Sequence, residues 1–154
     1  MLRHVTSTIC FVVLSLCSYA QLPQISFYQL DSLQKTESRN VVVLIHTDWC
    51  KYCRAMEETT FKNPAVVKIL SSKFYFVTLN AEEKHDIFFN VHTFKFKPTG
   101  SGIGVHELAE QLGTVKGDMV FPTLCFLNSK NEIFYQNRDY INARDLKAIL
   151  DKIK

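Results

Sequence analysis

The sequence predicts an α/β domain whose sheet mixes parallel and antiparallel strands. Three observations carry this prediction. Val41-Val42-Val43-Leu44-Ile45 is an unbroken, mostly β-branched run, the pattern of a strand buried on both faces, and helices follow such strands in α/β folds. A second run, Phe74–Leu79, returns after a helical stretch and completes a βαβ-like unit. A third, Phe121–Leu127, leads through a polar turn at Asn128–Asn131 into Glu132–Gln136, which reads as an antiparallel partner.

The elements follow in order. Met1–Ala20 reads as a secretory signal. Arg3 supplies the positive start, Ile9–Leu14 with Leu16 the apolar core, and Ser18 and Ala20 the small residues before cleavage. The core is shorter than the roughly 18 residues of a membrane span; retention as an anchor is the alternative. The domain is then Gln21–Lys154, long enough for one core. Gln24–Asn40 predicts a helix and a polar turn, with Ile25, Tyr28, Leu30 and Leu33 facing inward. The strand Val41–His46 leads to the cysteines, and Cys53–Phe61 has helical spacing. Asn63-Pro64 marks a new helix, with Asn as cap and Pro at the first position, running to about Leu70.

Residues 81–118 read as an insertion before the last strand pair. Ile87–Phe89 and Phe94–Lys97 predict one small hairpin, Pro98–Gly104 a glycine-rich loop and Val105–Leu112 a helix. Gly100, Gly102 and Gly104 do not join a strand to a helix as a nucleotide-binding fingerprint must, and His106-Glu107 lacks the second histidine of a zinc-protease helix. Pro122 stands at the start of its strand, where a missing N–H is tolerated. Ile141, Leu146, Ile149 and Leu150 give a C-terminal amphipathic helix capped by Asn142.

The chemistry is concentrated in Trp49-Cys50-Lys51-Tyr52-Cys53. Strand before and helix after put Cys50 at a helix N-terminus, where unpaired N–H groups and the helix dipole favour a thiolate. Cys53 lies one turn further on the same face, within disulfide reach. This predicts Cys50 as an exposed, acidic thiol, Cys53 as a buried one, and thiol–disulfide exchange as the reaction. The pattern is also half of a zinc site or an inert disulfide, but no second C-x-x-C or H-x3-5-H accompanies it. Cys10 and Cys17 leave with the signal, so Cys50, Cys53 and Cys125 do not make a disulfide-stapled scaffold. Cys125 reads as core filler. With 18 basic and 15 acidic residues, the chain has no charge excess suited to nucleic acid.

Trp49-Cys50-x-x-Cys53 after a buried strand, with Phe121-Pro122-Thr123 later in the chain, resembles the thioredoxin superfamily. Asp48-Trp49-Cys50, Cys53, Met56, Thr60-Phe61 and Val66 look most like exported bacterial thioredoxin-like proteins and the C-terminal domain of the thiol:disulfide interchange transporter. The resemblance implies a three-layer thioredoxin-like fold and a cis Phe121–Pro122 bond. It implies attack by Cys50, resolution by Cys53, and a substrate groove bordered by Trp49, Phe121 and Pro122. It further implies no cofactor and no metal beyond the redox-active dithiol. Partners would be protein or peptide disulfides and a membrane or periplasmic thiol donor; the chain would be a monomer, periplasmic or secreted. The expected activity is protein disulfide reduction. An oxidase or isomerase is one alternative, a non-catalytic peptide-binding module another. One departure matters. Thioredoxin's buried Asp falls at Leu44 and its partner Lys at Thr78. His46 shares the Leu44 strand face and is the candidate proton acceptor.

Overall fold

The computed structural model describes residues 21–153; the expected signal segment, 1–20, lies outside the described residues. A four-stranded sheet organises the chain. Strand β1 (Asn40–His46) runs parallel to β2 (Phe74–Asn80) and antiparallel to β7 (Thr123–Leu127), which pairs antiparallel with β8 (Ile133–Asn137), giving the order β2-β1-β7-β8. Because successive strand side chains point to opposite faces, β1 feeds two cores. Val42 and Leu44 join Phe74, Phe76, Leu124 and Phe126 on one face, while Val41, Val43 and Ile45 join Val77, Leu79, Cys125 and Leu127 on the other.

Helices α2 (Lys51–Glu58), α3 (Pro64–Lys73) and α5 (Ala143–Lys152) cover the first face through Met56, Val66, Leu70, Leu146 and Leu150. Helices α1 (Phe27–Thr36) and α4 (Glu107–Gly113) cover the second through Phe27, Leu30, Leu108 and Leu112. The expected mixed α/β three-layer arrangement is therefore the fold. Local signals set the helix starts. Asn63 Oδ1 accepts the N–H groups of Ala65 and Val66 before Pro64 opens α3, and Asn142 Oδ1 accepts that of Asp145. A capping box between Ser26 and Gln29 starts α1.

Several details differ from the sequence expectation. In α1 the inward residue is Phe27, and Tyr28 is 79% exposed, since the capping box begins the helix later than Gln24 and turns Tyr28 outward. The helix after the cysteines starts at Lys51 and stops at Glu58, with a separate 3-10 turn at Thr60–Lys62, whereas α3 runs beyond Leu70 to Lys73. The segment 81–118 holds two hairpins rather than one. β3 (Ile87–Phe89) pairs with β4 (His92–Phe94), and β5 (Phe96–Pro98) with β6 (Gly104–His106). The first closes on Asn90 and Val91, both at positive φ, a turn conformation that Val seldom adopts. Lys95 separates the two because its backbone is tied elsewhere: its carbonyl accepts Glu107 N–H, and its N–H donates to Glu107 Oε2. Val105 and His106, expected to be helical, close the second hairpin. His106 is fully buried, its Nδ1 accepting Leu108 N–H, which leaves Nε2–H to donate to His85 O. Since α4 packs on the sheet, 81–118 is partly a layer of the domain and not only an addition to it.

Candidate active site

The cysteines sit where β1 gives way to α2. After His46 the chain turns through Thr47-Asp48-Trp49, and Cys50 N–H closes the turn on Thr47 O at 3.1 Å. Cys50 is then the N-cap of α2, its sulfur accepting Cys53 N–H at 3.1 Å, a place ordinarily taken by a Ser or Asp oxygen. Cys50 and Cys53 form a disulfide, with their Cα atoms 5.3 Å apart. Cys53 is buried as expected, at 1% exposure. Cys50 is only 6% exposed, which corrects its expected exposure; in the disulfide its sulfur is turned in toward the helix N-terminus.

The register Ile45↔Thr123 brings the start of β7 beside the end of β1, and there the Phe121–Pro122 bond is cis. Phe121 and Trp49 meet edge to face with centroids 5.9 Å apart. Trp49 is 66% exposed, and its Nε1 donates to Glu82 Oε1 at 3.2 Å. Asn80 Nδ2 donates to Asp48 Oδ1, so the end of β2 and the turn after it hold both residues that precede Cys50. Tyr52, between the two cysteines in sequence, and Tyr140 are both exposed, with rings 6.4 Å apart. Tyr140 was not legible as a neighbour of Tyr52, because nothing local in the sequence links the β8–α5 turn to α2.

Beneath the disulfide a cleft of about 300 Å³ is lined by His46, Thr47, Asp48, Cys50, Cys53, Arg54 and Glu57. His46 thus reaches the side of the sheet that its parity with Leu44 predicts. Leu44 itself is fully buried in the apolar core opposite Thr78, so β1 carries no acid there. A carboxylate the sequence reading overlooked, Glu57, comes instead from α2. Its spacing of four from Cys53 was the available signal. Glu57 also walls a neighbouring cleft of about 990 Å³ with Phe61, Phe76 and Thr78. Cys125 lies on the opposite face of the sheet, where burial pushes its thiol up to about 12. Among the described residues no cluster of His, Cys, Asp and Glu could hold a metal ion.

The model of a thioredoxin-like domain matches residues 27–154. Among solved structures, the chain is similar to a thioredoxin from Thermus thermophilus at 20% identity, over 87% of this chain and 88% of that one, with a TM-score of 0.61. It is similar to a DsbH oxidoreductase at 13% identity, over 99% and 96%, with a TM-score of 0.57. It is also similar to the DsbD C-terminal domain of Neisseria meningitidis in its oxidised form, at 14% identity, over 86% and 100%, with a TM-score of 0.56. At these identities the likeness is one of fold. No curated protein matches the sequence. The match over most of the chain, with a C-x-x-C disulfide at the N-terminus of the helix after β1, shows that the chain belongs to the thioredoxin-like family, as a thiol–disulfide oxidoreductase.

Proposed function

We propose that the chain is an exported reductase of protein disulfides that uses the Cys50–Cys53 pair and no other cofactor. The observation that supports this direction is how little, beyond the start of α2, holds the Cys50 sulfur as an anion. It accepts one backbone N–H, that of Cys53, while two carboxylates, Asp48 and Glu57, share its cleft with one guanidinium, Arg54. A strongly oxidising pair needs a stabilised reduced form, and carboxylates beside a thiolate oppose that.

Cys50 as thiolate attacks one sulfur of the substrate disulfide and forms a mixed disulfide, and the departing substrate sulfur takes a proton. Cys53 as thiolate then attacks the Cys50 sulfur and releases the second substrate thiolate. The pair ends as the disulfide, and a thiol donor at the membrane or in the periplasm returns two electrons and two protons. Trp49, Phe121 and Pro122 border the substrate groove. His46 takes the Cys53 proton, directly or through one water; its place in the same cleft as Cys53 supports this role.

Equilibration of the pair with glutathione tests the direction. A potential near −270 mV is expected, and one near −120 mV would make the chain an oxidase. The His46→Phe variant should resolve mixed disulfides more slowly at pH 7 with attack by Cys50 unchanged. Resolution unaltered from about pH 6 to 8 would leave water as the acceptor. Export rests on the composition of residues 1–20. N-terminal sequencing of protein recovered outside the cytoplasm should start at Gln21.

A further inference from the structure

Thr47 carries a hydroxyl that the oxidised site does not use. The residue is 3% exposed and its Oγ1 has no hydrogen-bond partner, yet Thr47 lines the cleft together with both cysteines. An unpaired buried hydroxyl is costly, and an isosteric Val would avoid that cost. The two sulfurs differ in what reaches them. Cys50 Sγ accepts Cys53 N–H, whereas among the described residues no donor bonds to Cys53 Sγ. In the disulfide neither sulfur is placed to accept from this hydroxyl, and both are uncharged, weak acceptors. Opening the disulfide frees the Cys53 side chain to turn within the cleft, and a thiolate is a strong acceptor.

We propose that the Thr47 hydroxyl donates to the Cys53 sulfur once the disulfide is open, and favours its thiolate for the resolving step. This rests on the reading of Cys50 and Cys53 as attacking and resolving thiols. In that step the Cys53 electron pair forms the bond to Cys50 Sγ. The bond between Cys50 and the substrate sulfur breaks, and the substrate leaves as a thiolate and is protonated. Thr47 keeps its own proton; the Cys53 proton goes to His46 or water. The charged and titratable groups facing Cys53 in the cleft are His46 from β1, Asp48 from the turn, and Arg54 and Glu57 from α2. With Leu44 and Thr78 in place of an acid and a base, Thr47 is the residue through which the turn itself can act on a buried thiol.

The test is stopped-flow reaction of the fully reduced chain with Ellman's reagent. One aromatic thiol is released when Cys50 attacks and a second when Cys53 resolves, while buried Cys125 stays silent. In Thr47→Val the first phase should keep its rate. The second should follow a pH profile displaced upward by about one unit, a shift within reach of one hydrogen bond to a charged group. The tenfold loss of thiolate is partly offset by higher nucleophilicity, so the second phase slows by about threefold at pH 7. Thr47→Ser, which keeps the hydroxyl, should restore both rate and profile. A wild-type second phase in Thr47→Val overturns the proposal, as does equal slowing in Thr47→Ser, which would point to shape alone. Absence of both phases in the unmutated chain would overturn the exchange reading itself, and this inference with it.

Discussion

Cys125 shows how one thiol in this chain is made inert while two others react. It is fully buried three residues beyond Pro122, and desolvation raises it from near 9 to about 12. The neutral thiol therefore favours the folded state, an effect fully present below about pH 9 and lost as pH rises toward 12, where the unfolded chain ionises first. Cys125→Ala should lower stability at pH 7 by on the order of 1 kcal/mol through a small cavity. The gap to the unmutated protein should close and then reverse between about pH 9 and 12, with a slope of at most ~1.4 kcal/mol per pH unit. Urea midpoints measured across that range check this; a gap that stays constant would mean the thiol does not titrate between the two states. The Cys50–Cys53 pair differs because a helix N-terminus faces its sulfur.

At the scale of elements, caps and turns decide where helices begin and hairpins close. Asn63 caps α3 through two N–H groups, and this helix supplies Val66, Val67 and Leu70 to the core behind the cysteines. Asn63→Ala should cost about 1 kcal/mol in chemical denaturation. It should leave the glutathione equilibrium of the cysteine pair where it was; a shifted equilibrium would show that α3 helps set the potential. Gly104 in β6 has a steric role. A Cβ there would meet Phe96 Cζ at 2.5 Å and Pro98 Cα at 2.8 Å across the hairpin. Gly104→Ala should therefore destabilise by roughly 1–3 kcal/mol, as overpacking does. Because His106 N–H bonds Ala81 O and its ring caps α4, the damage should spread to α4 before it reaches the disulfide. Hydrogen exchange should show early loss of protection at 104–113 with β1 still protected. Simultaneous loss in both would mean that the hairpin is part of the global folding unit.

Over the whole molecule, two apolar clusters share one sheet, so unfolding either face exposes the other. The Cys50–Cys53 ring spans a sequence separation of three. A ring so small removes little freedom from the unfolded chain, at most ~2 kcal/mol by loop-closure entropy. The dithiol form should thus keep the fold, with unfolding free energies of the two forms within ~2 kcal/mol of each other. Parallel denaturation of oxidised and reduced protein by circular dichroism measures this. Loss of secondary structure on reduction would make the bond structural rather than a redox centre.

The sequence by itself determined the elements whose signals are local. A β-branched run marks β1, Asn caps mark α3 and α5, and a C-x-x-C after the strand places two thiols at a helix start. The cis Phe121–Pro122 bond was implied by resemblance, since nothing local dictates it. Strand parity already pointed His46 toward the cysteines, but only the tertiary structure brought Glu57 and Thr47 into the same cleft, through the packing of α2 against β1. Only it brought Tyr140 to Tyr52 and Glu82 to Trp49, from turns far away in the chain. It also divided 81–118 into two hairpins, whose three-residue strands are too short to show a period and whose first turn uses Asn-Val in place of Asn-Gly. Periodicity records how a segment meets the core on average. A reactive site depends on a few side chains from different segments, and their meeting is fixed by the contacts between elements.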